Sequence, residues 1–154
     1  MISICIATYN GEKYIRRQID SILSQIGLAD ELIISDDSST DGTLDIISMY
    51  NDRRIKLFKE QKFHSPIFNF ENAIKHAKGD IIFLADQDDM WLSGRVEKAL
   101  NMHSRGFDLV ICNTRSVYKH CIVEGQKNPF DGSYLQNIWK PAYVGCCMSF
   151  KKIY

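Results

Sequence analysis

No stretch of this chain approaches the roughly 20 apolar residues that cross a bilayer as a helix. The opening MISICIATYN carries no basic segment ahead of its apolar residues, so a secretory leader is not expected and the reading is cytoplasmic. The five cysteines are odd in number and show no Cys-x-x-Cys spacing. A disulfide framework and a zinc site are therefore not expected. Cys5 and Cys112 lie inside apolar runs and read as small core residues. Charge of one sign is not in excess: Lys plus Arg and Asp plus Glu number 19 each. That excludes nucleic-acid binding driven by net charge. Repeats, low-complexity tracts and Pro- or Gly-rich linkers are missing. So are the glycine fingerprints of dinucleotide folds and P-loops. His64, His76, His103 and His120 are scattered, with no Ser/His/Asp or Cys/His context, and read as surface or structural residues.

What is present suits one globular domain spanning residues 1–154, with 45% apolar and 25% charged residues. Short β-branched runs alternate with segments of helical period. Strands are expected at Ile2–Ala7, Glu31–Ser35, Ile55–Phe58, Ile81–Ala85, Phe107–Cys112 and Tyr143–Phe150. Apolar residues at 15, 19, 22, 23 and 26 predict a helix over Gly11–Gln25, closed by Gly27. A second helix carries Leu44, Ile47 and Tyr50. A third runs Pro66–Lys78 with Gly79 as its stop, and a fourth covers Ser93–Ser104. His120–Ser133 reads as a loop. This alternation predicts an α/β sandwich around a mainly parallel sheet.

In such sheets ligands bind at the carboxyl ends of strands. Three polar segments fall there: ATYNGE, DDSSTDGT and DQDD. In the last, Asp86, Asp88 and Asp89 crowd like charges together, and a divalent cation relieves the repulsion. Hard carboxylate oxygens suit Mg²⁺ or Mn²⁺. Extended backbone would turn Asp86 and Asp88 to one side and Asp89 elsewhere unless the chain bends. Asp88 is assigned to the metal, and Asp86 to a ribose hydroxyl or a water-mediated contact. The competing reading is that Asp88 or Asp89 caps the next helix. Capping by Thr40 or Asp41 explains most of DDSSTDGT but not Asp36 and Asp37, which precede the turn. A carboxylate there can accept from a pyrimidine N3–H or a ribose, and Asp37 is favoured for the base. Tyr9 can cover a base or ribose, and Asn10 can cap the first helix.

Taken in order, ATYNGEKYI, SILSQ, DELIISDDSSTDGT and KGDIIFLADQDDMW resemble the N-terminal half of a family-2 glycosyltransferase of GT-A fold. DQDDMW and NFENA are most similar to bacterial rhamnosyltransferase-like members that build surface polysaccharide. The resemblance is dense over about residues 1–115, and VGCCMSF resembles a later strand of the family. It implies a UDP- or dTDP-sugar donor, a divalent metal, a Rossmann-like α/β/α sandwich and an inverting reaction. Ala7 and Tyr9 would border the base, Asp37 would hold it, and Asp86 and Asp88 would form the metal and ribose site supported by Asp89. Glu12 is a further carry-over.

Glu71 precedes Asn72 where many relatives carry an arginine for the donor phosphates, and Asn69 is offered as its replacement. The carboxylate general base of such enzymes is expected in a segment beyond Tyr154, so the sequence reads as C-terminally truncated. The implied acceptor is a saccharide or a lipid-linked one, which makes peripheral contact with the inner face of the plasma membrane an expectation. A missing C-terminal half would also leave apolar surface near Trp139–Phe150, and hence self-association.

Overall fold

The structure, a computed structural model, describes residues 1–118, 121–124 and 145–152. A six-stranded sheet runs in the order β3-β2-β1-β4-β8-β5. Its strands are β1 (Ile2–Thr8), β2 (Glu31–Asp36), β3 (Ile55–Phe58), β4 (Ile81–Asp86), β5 (Leu109–Ile111) and β8 (Met148–Lys151). Strands β1 to β4 pair in parallel, while β8 lies antiparallel to both β4 and β5. A separate hairpin joins β6 (Arg115–Tyr118) to β7 (Cys121–Glu124).

Residue alternation along the strands makes three layers. Ile2, Ile4, Ile6, Leu32, Ile34, Phe83 and Ala85 face one side, and meet the apolar stripes of α1 (Ile15–Leu23), α2 (Thr43–Ser48) and α4 (Arg95–Ser104). Cys5, Ile33 and Ile82 face the other, and meet Ala73 and Ala77 of α3 (Pro66–His76) and its C-terminal end. A central strand buried on both faces favours apolar residues without alternation, which is why LII and IIFLA read as unbroken runs. Each fully buried isoleucine contributes roughly 1.5–3 kcal/mol over an exposed one.

The predicted helix ends need physical correction. The first helix starts at Ile15, not Gly11, because Gly11 to Tyr14 form a turn closed by Tyr14 N–H to Gly11 O at 3.0 Å. Gly27 does not close it, and the helix ends at Leu23 with Ser24 as its cap. Instead Arg54 donates to Leu23 O (3.0 Å) and Ile26 O (2.6 Å), and satisfies carbonyls that a helix end leaves bare. Asp52 holds that guanidinium at 2.7 Å. Tyr50 lies past the end of α2, although its ring packs on the core.

Helix α3 begins at Pro66 as expected but stops at His76. Gly79 serves the sheet: a Cβ there would stand 2.6 Å from Ile2 C and Ser3 N. The fourth helix begins at Arg95, two residues late, after Gly94 in the left-handed region. Tyr143–Phe150 is not one strand: a 3-10 turn at Gly145–Cys147 precedes β8. Cys121–Glu124, expected in a loop, is strand β7, and the rest of that loop lies outside the described residues. So does residue range 139–144 of the expected apolar surface. Of the remainder, Cys146 and Cys147 are buried, and the half-buried Phe150 packs against the α3 side of the core.

Candidate functional site

The order β3-β2-β1-β4 reverses direction at β1, where the chain crosses from β3 to β4 on the far side. That switch opens a crevice at the strands' carboxyl ends. There Ala7 pairs with Asp86 across β1 and β4, and Thr8 pairs with Asp36 across β1 and β2. A cavity of about 510 Å³ lies over these ends. It brings together Ala7, Tyr9, Asp37, Asn69, Asp86 and Asp88, six of the positions singled out above, from four separate segments.

The first two polar segments interlock before they offer anything to a ligand. Asn10 does not cap α1; its Oδ1 accepts from Thr40 N at 2.9 Å. Gly11 N–H donates to Thr43 Oγ1 (2.7 Å) and Glu12 N–H to Asp41 Oδ2 (3.1 Å). Glu12 Oε2 accepts from Gly42 N (2.8 Å), so Glu12 staples two loops and does not line the cavity. Gly42 is the N-terminal cap of α2, while the Asp41 carboxylate takes Thr43 N–H (3.0 Å). Asp36 is fully buried and accepts from Thr8 Oγ1 and Ser39. Its neighbour Asp37 faces the cavity, with Oδ1 accepting from Phe63 N (2.6 Å) and Oδ2 from Ser65 N (3.3 Å). Each oxygen keeps a further lone pair for a ligand.

After β4 the chain turns at Gln87 and Asp88. The turn defeats the extended-backbone expectation. Asp86, Asp89 and Cys146 bring ligand atoms within 4.8 Å of one another, whereas Asp88 is exposed at the cavity wall. Burial pushes the Asp86 carboxyl above its ordinary range, the Asp89 and Asp88 charges push it further, and a hydrogen bond with Cys146 opposes them. This donor set, two hard carboxylates beside a thiol, fits a divalent cation, which would remove the repulsion that raises Asp86. Cys146 was not foreseen. It arrives through β8, antiparallel to β4, a pairing that local sequence does not announce.

Helix α1 holds this turn from behind. Gln18 is fully buried and donates from Nε2 to Asp86 O at 2.8 Å. Arg17 reaches Asp88 O (3.2 Å), and Ser21 Oγ accepts from Trp91 N (3.0 Å). Trp91 is buried beside Phe83 at 5.7 Å, with the Arg95 guanidinium 4.2 Å above its ring. The signal for Gln18 was legible: it is the polar residue on the 15-19-22 apolar face. Gln87 and His64 were also missed as site residues. Both line the cavity. Asn69 is buried beneath it, with Nδ2 donating to Thr8 O (3.1 Å) and Oδ1 without a partner among the described residues. One of its two amide hydrogens is thus taken by the chain.

Over residues 3–153 the sequence matches the family described as Glycosyl transferase family 2. The chain belongs to that family. Among curated relatives, the family-2 chain is 32% identical over 102 residues to the Escherichia coli UDP-Glc:alpha-D-GlcNAc-diphosphoundecaprenol beta-1,3-glucosyltransferase WfgD, covering 66% of this chain and 40% of that one. It is 30% identical over 161 residues to the Shigella flexneri dTDP-rhamnosyl transferase RfbG, covering 95% of this chain and 53% of RfbG. Its backbone matches that of S. aureus TarS 1-349 in complex with UDP-GlcNAc with a TM-score of 0.79 at 22% identity, covering 97% of this chain and 45% of that one. The last likeness fixes the GT-A fold. The family-2 chain thus spans about half, or less, of the length of these proteins. The expected α/β/α sandwich and the family reading both hold. Among the described residues no helix is long and apolar enough to cross a membrane.

Proposed function

We propose that this chain holds the donor site of a metal-dependent, inverting glycosyltransferase that uses a UDP- or dTDP-sugar in bacterial surface polysaccharide synthesis. The observation that carries the reading is the single cavity that gathers Ala7, Tyr9, Asp37, Asn69, Asp86 and Asp88 at the sheet's switch point. Its volume of about 510 Å³ lies within the ordinary range of small-molecule sites. The names of WfgD and RfbG support donors of the UDP and dTDP type, and that of WfgD supports a lipid-linked diphosphate acceptor. Such an acceptor entails peripheral contact with the membrane.

In this reading Asp37, fixed by two backbone amides, accepts the N3–H of a pyrimidine base. Tyr9, 56% exposed at the rim, covers the base or ribose. Asp86 and Asp89, with Cys146 beside them and Asp88 at the wall, would hold Mn²⁺ or Mg²⁺. A bound cation would supply charge neutralisation for the donor diphosphate and its leaving group. Gln18, Arg17 and Ser21 keep the aspartate turn in place and so set where that charge sits. The acceptor hydroxyl gives its proton to a general base as its oxygen bonds to the anomeric carbon opposite the departing nucleoside diphosphate, which inverts that carbon. We assign no general base among the described residues.

Calorimetric titration of UDP and dTDP, with and without Mn²⁺, on wild type and Asp88→Ala tests the donor site. Metal-dependent binding that weakens in the variant is the expected result. No binding of either nucleotide to the wild type would overturn the reading. A sugar-transfer assay on the same chain separates donor binding from transfer.

A further inference from the structure

Four non-glycine residues among those described have positive φ: Asn10 (49°), Ser38 (62°), Glu60 (65°) and His64 (48°). All four lie in the loops that leave the carboxyl ends of β1, β2 and β3. Such backbone collects at functional sites, where surrounding contacts must hold it. For Asn10 and Ser38 the side chain explains the conformation: Asn10 receives Thr40 N–H, and Ser38 Oγ donates to Gln61 O at 2.6 Å. Of the four, His64 alone lines the cavity.

The contacts around His64 fix its backbone, and the residue lines the cavity. The residues on either side, Phe63 and Ser65, give their amides to the two oxygens of Asp37. One carboxylate therefore clamps the bend, with His64 at its apex. The side chain itself is exposed. Tyr9, also exposed, lines the same cavity from the loop after β1. Two planar rings thus stand on two different loops around the carboxylate assigned above to the base.

We infer that the His64 ring is a wall of the nucleobase slot, working with Tyr9, and that the Asp37 clamp exists to place it there. This rests on the donor-site reading above. A π-face against a base gives affinity with little dependence on which pyrimidine is bound, so the slot would accept uracil and thymine alike.

The test compares wild type, His64→Gly and His64→Phe, each titrated with UDP and with inorganic pyrophosphate in Mn²⁺, and each melted thermally. Glycine suits the positive φ and removes the ring; phenylalanine restores a ring without the imidazole nitrogens. The expected result is a His64→Gly protein that melts no lower than wild type and binds UDP about tenfold more weakly. His64→Phe should recover most of that loss, and pyrophosphate affinity should stay constant throughout. UDP binding by His64→Gly equal to wild type overturns the inference and leaves the donor reading standing. A lowered melting temperature in His64→Gly, equal losses for pyrophosphate, or no recovery in His64→Phe also overturns it. A wild type that binds no nucleotide overturns the donor reading itself, and this inference with it.

Discussion

The side-chain amide of Gln87 takes both backbone polar groups of Tyr9. Tyr9 N–H donates to Gln87 Oε1 at 3.0 Å, and Gln87 Nε2 donates to Tyr9 O at 3.0 Å. The pair continues the β1–β4 ladder past its last backbone register, Ala7 with Asp86. A side chain thereby does what a further strand residue would do, and ties the cavity rim to the aspartate turn. Tyr9 is exposed and Gln87 half-buried, so the link fixes the placement of the rim as well as adding to the fold.

Replacing Gln87 by Met keeps the bulk and removes both hydrogen bonds. At about 1 kcal/mol for each bond, UDP affinity in Mn²⁺ should fall roughly five- to thirtyfold. Gln87→Glu keeps the acceptor and loses the donor, and should fall between. Both bonds are present in the ligand-free fold and Gln87 is half-buried, so the melting temperature should fall too, by no more than the loss of about 2 kcal/mol implies. Titration calorimetry and thermal melts read the two effects separately.

Gly11 touches the same amide. A Cβ there would stand 2.4 Å from Gln87 Oε1, the end of a side chain that can swing away. Gly11→Ala should therefore displace Gln87 and mimic its loss. The double variant with Gln87→Met should bind UDP no worse than Gln87→Met alone, because both changes remove one interaction. Additive losses in the double variant would show that Gly11 acts by another route.

Gly79 meets a harder obstacle. Its added Cβ would press on Ile2 and Ser3 backbone at 2.6 Å, and backbone inside a central strand cannot swing aside. Gly79→Ala should destabilise the fold by about 1–3 kcal/mol, as overpacking does. Its N–H also donates to Ser3 Oγ (2.8 Å), so any retreat of the chain strains that bond. Urea melts at neutral pH measure the loss. Stability equal to wild type would show that the α3–β4 connection yields.

Asp86 has a pH signature of known sign. Burial, with Asp89 and Asp88 nearby, raises its carboxyl above the value of the unfolded chain. The folded state therefore binds that proton more readily than the unfolded one. The stability this contributes is complete below the ordinary carboxylate range and is lost as pH rises through the raised value. Asp86→Asn should be more stable than wild type at pH 7 in the absence of metal, with the gap closing as pH falls through the raised value and gone below the ordinary carboxylate range. The same variant should lose the Mn²⁺-dependent part of UDP binding. Urea melts across pH and nucleotide titration check the two halves, and an Asp86→Asn less stable than wild type at pH 7 would reverse the sign.

The sequence alone determined the layered sheet and where its site must lie. Apolar runs without alternation required strands buried on both faces, and helical periods between them required crossovers. Polar segments directly after three of those runs marked the strand tips. These are signals carried by neighbours in the chain, so composition and period suffice to read them. Helix ends were less legible, because Arg54 and not Gly27 closes α1, and that contact spans 31 residues for Leu23.

Only the tertiary structure decided which polar groups face the cavity and which hold the loops. Glu12 and Asp36 staple the loops to one another, although they carry the same carboxylate group as Asp37 and Asp86. The partners were also out of reach of local pattern: Gln87 meets Tyr9 78 residues away, and Cys146 reaches Asp86 only because β8 runs back beside β4. A side chain's type states which bonds it can make. The fold decides which partners come within about 3 Å, and hydrogen bonds and ion contacts depend steeply on that distance.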